Sequence, residues 1–224
     1  MNLYLDIETI PTQSAEARAE IAATVSPPGN ISKAETIAAW EAEKKPAAVA
    51  EAIAKTSFDG ATGHVCCIGW AIDDHSTTFR MMVDGLDEAD IIRAFVDAVD
   101  ANVPQYVSPT IIGHNVINFD IRFLWQRAIV LGVRMPRWFP RDPKPWGNDA
   151  FDTMTAFAGQ RGTIGMDRLC KALGLGGKGD VDGSMIAGMW ERGERDKIAA
   201  YCMEDVERTR AIHRRMMVAF GEAA

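Results

Sequence analysis

The stretch "NLYLDIETIP" (residues 2–11) combines the pattern of a β-strand with two acidic residues. Successive side chains of a strand alternate between its two faces, so the apolar positions share one face and the polar positions share the other. The apolar face carries Leu3, Leu5 and Ile7, and the other face carries Tyr4, Asp6 and Glu8. Carboxylates that point the same way repel each other, and their pKa values rise in a dry interior unless a cation lies between them. The stretch therefore predicts either the solvated face of an edge strand or a cation site.

The composition is typical of a protein with a full hydrophobic core. The sequence has 224 residues, of which 47% are hydrophobic, and we expect a single domain over residues 1–224. It contains no run of about 18 apolar residues and no basic region followed by an apolar one at its N-terminus, so we expect no membrane span, no secretory signal and a cytoplasmic location. The four cysteines form no CxxC pair and are expected to be reduced. A net charge of -7 argues against a general electrostatic attraction to nucleic acid but leaves a local basic surface open.

The rest of the pattern predicts a mixed α/β fold. Residues 13–57 are polar and rich in alanine, which predicts a helical insertion whose segment "SKAETIAAWEAEKK" opens with a capping box from Ser32 to Glu35. Strands are expected at 64–72, 77–83 and 110–115, and helices at 87–100 and 120–132. The last third of the chain, from "FDTMTAF" onward, is typical of helices separated by glycine-rich loops.

Two further segments place acidic residues on helices that follow the predicted strands. "GHNVINFDIRFL" (113–124) puts Asp120 at the start of a helix after a strand, where open α/β sheets gather functional residues. Capping of that helix is the alternative role for Asp120. "YCMEDVERT" (201–209) puts Tyr201 and Asp205 four residues apart on one helix face, for which a structural surface pair is the alternative.

Together the three segments resemble the motifs of the DEDD superfamily of 3′–5′ exonucleases, which share a ribonuclease-H-like fold. The motifs are Asp6-x-Glu8, Asn115-x-x-x-Phe119-Asp120 and Tyr201-x-x-x-Asp205. A tyrosine four residues before the last aspartate matches the tyrosine subtype, and the chain is most similar to the proofreading exonuclease domain of family B DNA polymerases in stand-alone form. Three stretches resemble predicted polymerase-B-like exonucleases of bacteria and phages, namely "HVCCIGWAI" (64–72), "LCKALGLGGKGDVDGSMI" (169–186) and "AAYCMEDVERT" (199–209).

The resemblance implies a fold, a reaction and a metal site. The fold is α/β, with a ribonuclease-H-like mixed five-stranded sheet flanked by helices and the insertion after the first strand. The reaction is the removal of nucleoside monophosphates from the 3′ end of single-stranded DNA. Two Mg²⁺ or Mn²⁺ ions, about 3.5–4 Å apart, would activate a water and stabilise the leaving 3′-oxygen. The four acids expected to hold them are oxygen donors, which suit these hard cations: Asp6, Glu8, Asp120 and Asp205.

Other residues are assigned to positioning and to substrate binding. Tyr201 is expected to position the attacking water, because a phenol with a pKa of about 10 is poorly matched to act as a general base at neutral pH. The motif neighbours Thr9, His114, Asn115 and Phe119 are predicted to contact the substrate, although stabilising the turn is an equal alternative for His114 and Asn115. Asp152 is expected to cap a helix.

A basic segment is predicted to bind the nucleic-acid strand. "RMPRWFPRDPKPW" (134–146) alternates cations with aromatic rings, a pattern that suits single strands. Its predicted binding residues are Arg137, Arg141 and Lys144. In the preceding helix, Arg122 and Arg127 are expected to solvate the outer face and Trp125 to pack into the core.

Two other functions are compatible with the sequence. An exoribonuclease of the same fold would use the same acids, because the contacts that read a 2′-hydroxyl are not visible in sequence. A nucleic-acid-binding module with a weak active site is the second alternative, against which the presence of all the motif residues argues. Protein partners stay undetermined.

Overall fold

A five-stranded mixed sheet forms the centre of the protein. The computed structural model describes residues 1–83, 85–176 and 181–222. The strands are β1 (Asn2–Ile10), β2 (His64–Ile72), β3 (Thr78–Met81), β4 (Thr110–Gly113) and β5 (Ala150–Asp152). They lie in the order β3-β2-β1-β4-β5, with β2 antiparallel to β1 and to β3, and with β4 parallel to β1 and to β5. Because β1 is the central strand, the edge-strand alternative for its two acids is wrong.

Helices cover both faces of this sheet. Those described are α1 (Ala15–Thr24), α2 (Ala34–Glu43), α3 (Lys45–Lys55), α4 (Glu88–Asp100), α5 (Asp120–Leu131), α6 (Thr153–Ala158), α7 (Met166–Leu173), α8 (Ile186–Glu191) and α9 (Arg195–Phe220), with 3-10 turns at Thr56–Phe58 and Gly183–Met185. Helices α4 and α5 pack on the apolar face of β1 through residues such as Phe95 and Phe123. Helix α9 covers the face that carries the acids, because Val206 packs there with Tyr4.

Gly69 sets the distance between α9 and the sheet. This glycine lies opposite Asp6 in the pairing of β1 with β2. A Cβ atom at Gly69 would lie 2.8 Å from Sγ of Cys202 on α9, closer than side-chain atoms approach each other. The missing side chain therefore lets α9 lie directly above the acidic face of β1.

The predicted elements agree with the structure in most places, and two local predictions are wrong. The strand predicted at 64–72 is confirmed, and the insertion is indeed helical. The capping box from Ser32 to Glu35 is wrong: Lys33 is the N-cap of α2, with no side-chain cap bond, so that Glu35 lies one position too early for the motif. Strand β5 falls within a stretch predicted to be helical, and it is only three residues long.

Two predictions from the sequence concern the state of the cysteines and the character of the helices. All four cysteines are buried and free, as expected for reduced packing residues. Among residues 1–83, 85–176 and 181–222, no helix combines the length and the apolar character that crossing a membrane requires. Residues 177–180, which belong to the glycine-rich stretch similar to bacterial and phage proteins, lie outside the described residues.

Candidate active site

The four predicted acids converge under helix α9. Asp6 and Glu8 project from β1 toward this helix, and their carboxylate oxygens lie within 4.8 Å of each other and of Sγ of Cys202. Burial raises the pKa of Asp6 well above its usual range, and the charges of Glu8, Asp120 and Asp205 raise it further. These interactions show that all three acidic motifs meet at one place.

Asp120 is hydrogen-bonded directly to the strand that carries Asp6 and Glu8. It is the first residue of α5, and its Oδ1 accepts a hydrogen bond from the backbone N–H of Ile7 at 3.0 Å. The N-cap of the helix is Phe119, so the capping alternative for Asp120 is wrong. Burial raises the pKa of Asp120 to about 7, although hydrogen bonds from its own backbone and from Ile7 partly oppose the shift.

Tyr201 and Asp205 lie on the buried face of α9. They are 7% and 6% exposed, so the alternative of a surface pair is wrong. Burial, together with the charges of Asp205 and Glu8, raises the pKa of the Tyr201 phenol. A phenol in this setting keeps its proton at neutral pH and can donate a hydrogen bond.

Arg208 is a site residue that sequence reasoning missed. Its Nη1 donates to Oδ1 of Asp205 at 2.8 Å, and its Nη2 donates to Glu204. The guanidinium therefore holds the Asp205 carboxylate in place and places a positive charge beside the acidic cluster. The spacing of three residues between Asp205 and Arg208 could have indicated this contact, although the same spacing is common among exposed pairs.

The donor set suits a divalent cation. Oδ2 of Asp6 is buried without a hydrogen-bond partner among the described residues, and burying an unpaired carboxylate oxygen is costly. A cation beside it would satisfy this oxygen and offset the repulsion that raises the pKa of Asp6 and Asp120. Carboxylate oxygens are the ligands that Mg²⁺ and Mn²⁺ prefer.

The turn after β4 is held by internal hydrogen bonds. Asn115 has a φ of +66°, a left-handed conformation that asparagine tolerates better than most residues. Its backbone N–H and that of Ile117 donate to the Asp152 carboxylate, which also caps α6 as predicted. His114 contacts the Thr153 hydroxyl through Nδ1 and donates from Nε2 to the Ile164 carbonyl. Both ring nitrogens are thus occupied, so the structure supports the turn-stabilising alternative and not a substrate contact for His114.

Thr9 and Phe119 both adjoin the insertion. The Thr9 hydroxyl donates to the Ser57 carbonyl at 2.8 Å, and its predicted contact with the substrate stays a prediction. The Phe119 ring lies beside the ring of Phe58, with centroids 6.3 Å apart. Sequence reasoning missed Phe58, and its signal is an aromatic residue within the polar segment "KTSFDGATG" (55–63) before β2.

Arg137, Arg141 and Lys144 lie in the loop that joins α5 to β5. The loop packs back on α5, where Arg141 stacks over the Trp125 ring. Lys144 pairs with Asp142, which also pairs with Arg122, two residues after the first residue of the helix. The prediction that these three cations bind the nucleic-acid strand stays a prediction.

The two arginines of α5 have different surroundings. Arg122 is exposed and pairs with Asp142 at 3.4 Å, as expected for a solvated position. The corresponding prediction for Arg127 is wrong, because this side chain is 3% exposed and donates from Nε and Nη2 to the two oxygens of Glu88, both at 2.8 Å. Trp125 packs against the core but is only half-buried.

The fold and the site together define an α/β protein with a buried tyrosine–carboxylate centre of nuclease type. The chain belongs to the family of predicted 3′–5′ exonucleases related to the exonuclease domain of PolB, whose model matches residues 60–223. The matched region contains Asp120, Tyr201 and Asp205, whereas Asp6, Glu8 and the insertion precede it.

A solved structure supports the assignment of the fold. The structure of the family B DNA polymerase from the hyperthermophilic archaeon Pyrobaculum calidifontis matches with a TM-score of 0.55 and 20% sequence identity, over 72% of this chain and 22% of the polymerase chain. The chain thus corresponds to about a fifth of that polymerase, and the likeness shows the fold alone. It confirms the predicted ribonuclease-H-like sheet. No match was found among curated proteins.

Proposed function

We propose that the protein is a metal-dependent 3′–5′ exonuclease that removes nucleoside monophosphates from the 3′ end of single-stranded DNA. The observation that carries this proposal is the convergence of four carboxylates from β1, α5 and α9 beside the buried Tyr201 hydroxyl. Membership in the exonuclease family gives the reaction class.

The four acids would hold the metal ions. Asp6 and Glu8 offer neighbouring oxygens from one strand, while Asp120 and Asp205 approach from the two sides of the sheet. When bound, two divalent ions supply a nucleophile at neutral pH and stabilise the departing 3′-oxygen. Oδ2 of Asp6, which has no hydrogen-bond partner among the described residues, would serve as one of the ligands.

Tyr201 would position the attacking water, and Arg208 would hold the Asp205 carboxylate. The raised pKa of Tyr201 keeps its proton in place, so the hydroxyl is suited to orient the attacking water and not to deprotonate it. Arg208 donates to Oδ1 of Asp205 at 2.8 Å, which limits the rotation of this carboxylate.

A cavity lies between the segment after β3 and the start of α9. It has a volume of about 430 Å³ and is lined by Met82, Val83, Leu86, Trp190, Gly193 and Arg195. Trp190 packs against the cluster that contains Tyr201, and the guanidinium of Arg195 lies over the Trp190 ring. A cation and an aromatic ring side by side suit a phosphate and a base.

Cleavage assays with end-labelled nucleic acids test the proposal. We expect single-stranded DNA labelled at its 5′ end to be shortened stepwise, and the same strand labelled at its 3′ end to release labelled mononucleotide at once. EDTA should abolish activity, and Mg²⁺ or Mn²⁺ should restore it. Asp6→Asn, Glu8→Gln, Asp120→Asn and Asp205→Asn should each nearly abolish cleavage, whereas Glu35→Gln, an exposed acid in α2, should cleave like the wild type.

Three outcomes would contradict parts of the proposal. Faster cleavage of RNA than of DNA would show that the protein is an exoribonuclease. Binding without cleavage under every metal condition would favour a nucleic-acid-binding module. Full activity in any one of the four acid variants would remove that residue from the metal site.

A further inference from the structure

The insertion places an exposed aromatic ring beside the acidic cluster. Phe58 ends the 3-10 turn that follows α3, and it is 74% exposed. Its ring lies 6.3 Å from that of Phe119, which in turn lies 5.6 Å from the buried ring of Phe123. Three rings thus lead from the core to the solvent, with Phe58 at the outer end.

Phe119 and Phe58 are each adjacent in sequence to a residue that is hydrogen-bonded to β1. Phe119 precedes Asp120, whose carboxylate is bonded to Ile7 of β1. Ser57, the neighbour of Phe58, accepts a hydrogen bond from Thr9, which follows Glu8. The pair of rings therefore borders the carboxylates on the side of α5.

The turn that carries Phe58 is held at both ends. On one side, the Thr56 hydroxyl accepts from the backbone N–H of Thr12 at 2.8 Å. On the other side, Nη1 of Arg127 donates to the Gly60 carbonyl at 3.1 Å. Gly60 lies so close to α5 that a Cβ atom there would meet the side chain of Gln126 at 2.4 Å. A ring held in this way loses little conformational freedom when a ligand stacks on it.

We propose that Phe58 extends Phe119 into a stacking platform for the unpaired bases at the 3′ end of the substrate strand, so that the turn after α3 is a substrate-binding element. This inference rests on the proposed exonuclease function. Every base presents a π-face, so stacking on aromatic rings contributes affinity without reading sequence. Bases inside a duplex already stack on their neighbours, and the platform therefore selects single-stranded or frayed ends.

Binding assays in Ca²⁺, which suppresses cleavage, test the platform. The probe is a fluorescent single-stranded DNA of about six nucleotides, within the length that one single-strand site covers. We expect Phe58→Ala to weaken binding by about 5- to 150-fold, which corresponds to the roughly 1–3 kcal/mol of one stacked base. Phe58→Trp, which keeps an aromatic face, should retain the affinity.

Two controls separate stacking from other effects. Phe220 is also an exposed phenylalanine, 53% exposed at the far end of α9, and Phe220→Ala should bind like the wild type. A strand whose last two nucleotides lack bases should bind equally to the wild type and to Phe58→Ala, since no base is present to stack. Unchanged melting temperatures would show that the variants are folded.

The outcomes also distinguish the platform from the proposed reaction. Wild-type affinity in Phe58→Ala, or an equal loss of affinity for the strand with abasic ends, would overturn the platform. A wild-type protein that cleaves no nucleic acid, but loses affinity for ordinary 3′ ends on the Phe58→Ala change, would overturn the exonuclease function and leave the platform standing.

Discussion

The backbone N–H of Ile7 donates to Oδ1 of Asp120 over 3.0 Å, so the second acidic motif is bonded to the strand that carries the first. The bond brings a third carboxylate to Asp6 and Glu8 and buries it. Without a cation, these buried acids repel one another, and the pKa of Asp120 rises to about 7 as a result of burial and of its acidic neighbours. The stability of the metal-free protein should therefore depend on pH, and this can be measured without substrate.

The metal-free protein should become less stable as the pH rises. The folded state holds a proton on Asp120 that the unfolded state releases near pH 4, so the free energy of unfolding falls between about pH 4 and pH 7. We expect the melting temperature in EDTA to be lower at pH 8 than at pH 5.5, by at least the roughly 2–4 °C that about 1 kcal/mol produces in a chain of this size.

The Asp120→Asn variant tests the assignment of this effect. It keeps an oxygen for the Ile7 N–H but has no charge, so it should melt at a higher temperature than the wild type at pH 8 and show a weaker pH dependence. Asp142→Asn, in an exposed acid, serves as the control and should behave like the wild type. Equal pH dependence in wild type and Asp120→Asn would contradict the buried, proton-binding state.

Tyr201→Phe should slow cleavage without altering its pH dependence. The change removes one positioned hydrogen bond, and such groups contribute roughly 2–4 kcal/mol to transition states, so we expect a loss of about 10- to 1,000-fold in kcat. Because the phenol keeps its proton throughout this range, the pH–rate profiles of variant and wild type between pH 6.5 and pH 9 should have the same shape. Tyr106→Phe, at an exposed tyrosine, is the matched control. If the cleavage rate of the wild type changed at high pH and that of Tyr201→Phe did not, the tyrosine itself would titrate in this range.

Arg127→Met should destabilise the fold far more than the same change at Arg122. Burial would raise the pKa of Glu88, but hydrogen bonds from His64, Arg127 and the Val65 N–H lower it overall. Removing Arg127 takes the buried guanidinium away from the Glu88 carboxylate, and losing one member of a buried ion pair costs about 3–5 kcal/mol. An exposed pair such as Arg122 with Asp142 contributes about 0–1 kcal/mol.

Urea denaturation measures both changes. The double variant Glu88→Gln with Arg127→Met should be more stable than Arg127→Met alone, because it leaves no buried charge without a partner. Similar stabilities for Arg127→Met and Arg122→Met would show that Arg127 is solvated in solution, as its sequence context alone suggests.

Replacing the basic segment should weaken the binding of single-stranded DNA. Arg137, Arg141 and Lys144 lie in the loop after α5, which contacts the first half of that helix at Arg122 and Trp125. We expect their joint replacement by alanine to lower the affinity for a strand of about 20 nucleotides, measured in Ca²⁺ to suppress cleavage. The slope of log affinity against log salt should shrink by roughly 0.7 for each phosphate that these cations no longer neutralise. Wild-type affinity and salt slope in this variant would show that the loop does not hold the strand.

The sequence by itself determined the features that depend on local periodicity. The alternation in residues 2–11 places Asp6 and Glu8 on one strand face, and the four-residue spacing places Tyr201 and Asp205 on one helix face. These directions follow from the backbone geometry of a strand and of a helix and need no distant contact. The resemblance that these motifs carry implied the five-stranded sheet, whereas the local pattern alone left β5 in a stretch predicted to be helical.

The tertiary structure decided which elements meet, because this depends on the order and direction of strands that are far apart in the chain. The docking of the basic loop on α5 brings Asp142 to both Lys144 and Arg122. The packing of the insertion on α5 occupies the Thr9 hydroxyl and exposes Phe58. The pairing of Arg127 with Glu88, 39 positions away in sequence, turns an apparently solvated arginine into a buried one. Local patterns carry no information on these partners, since each contact forms only when separate elements dock.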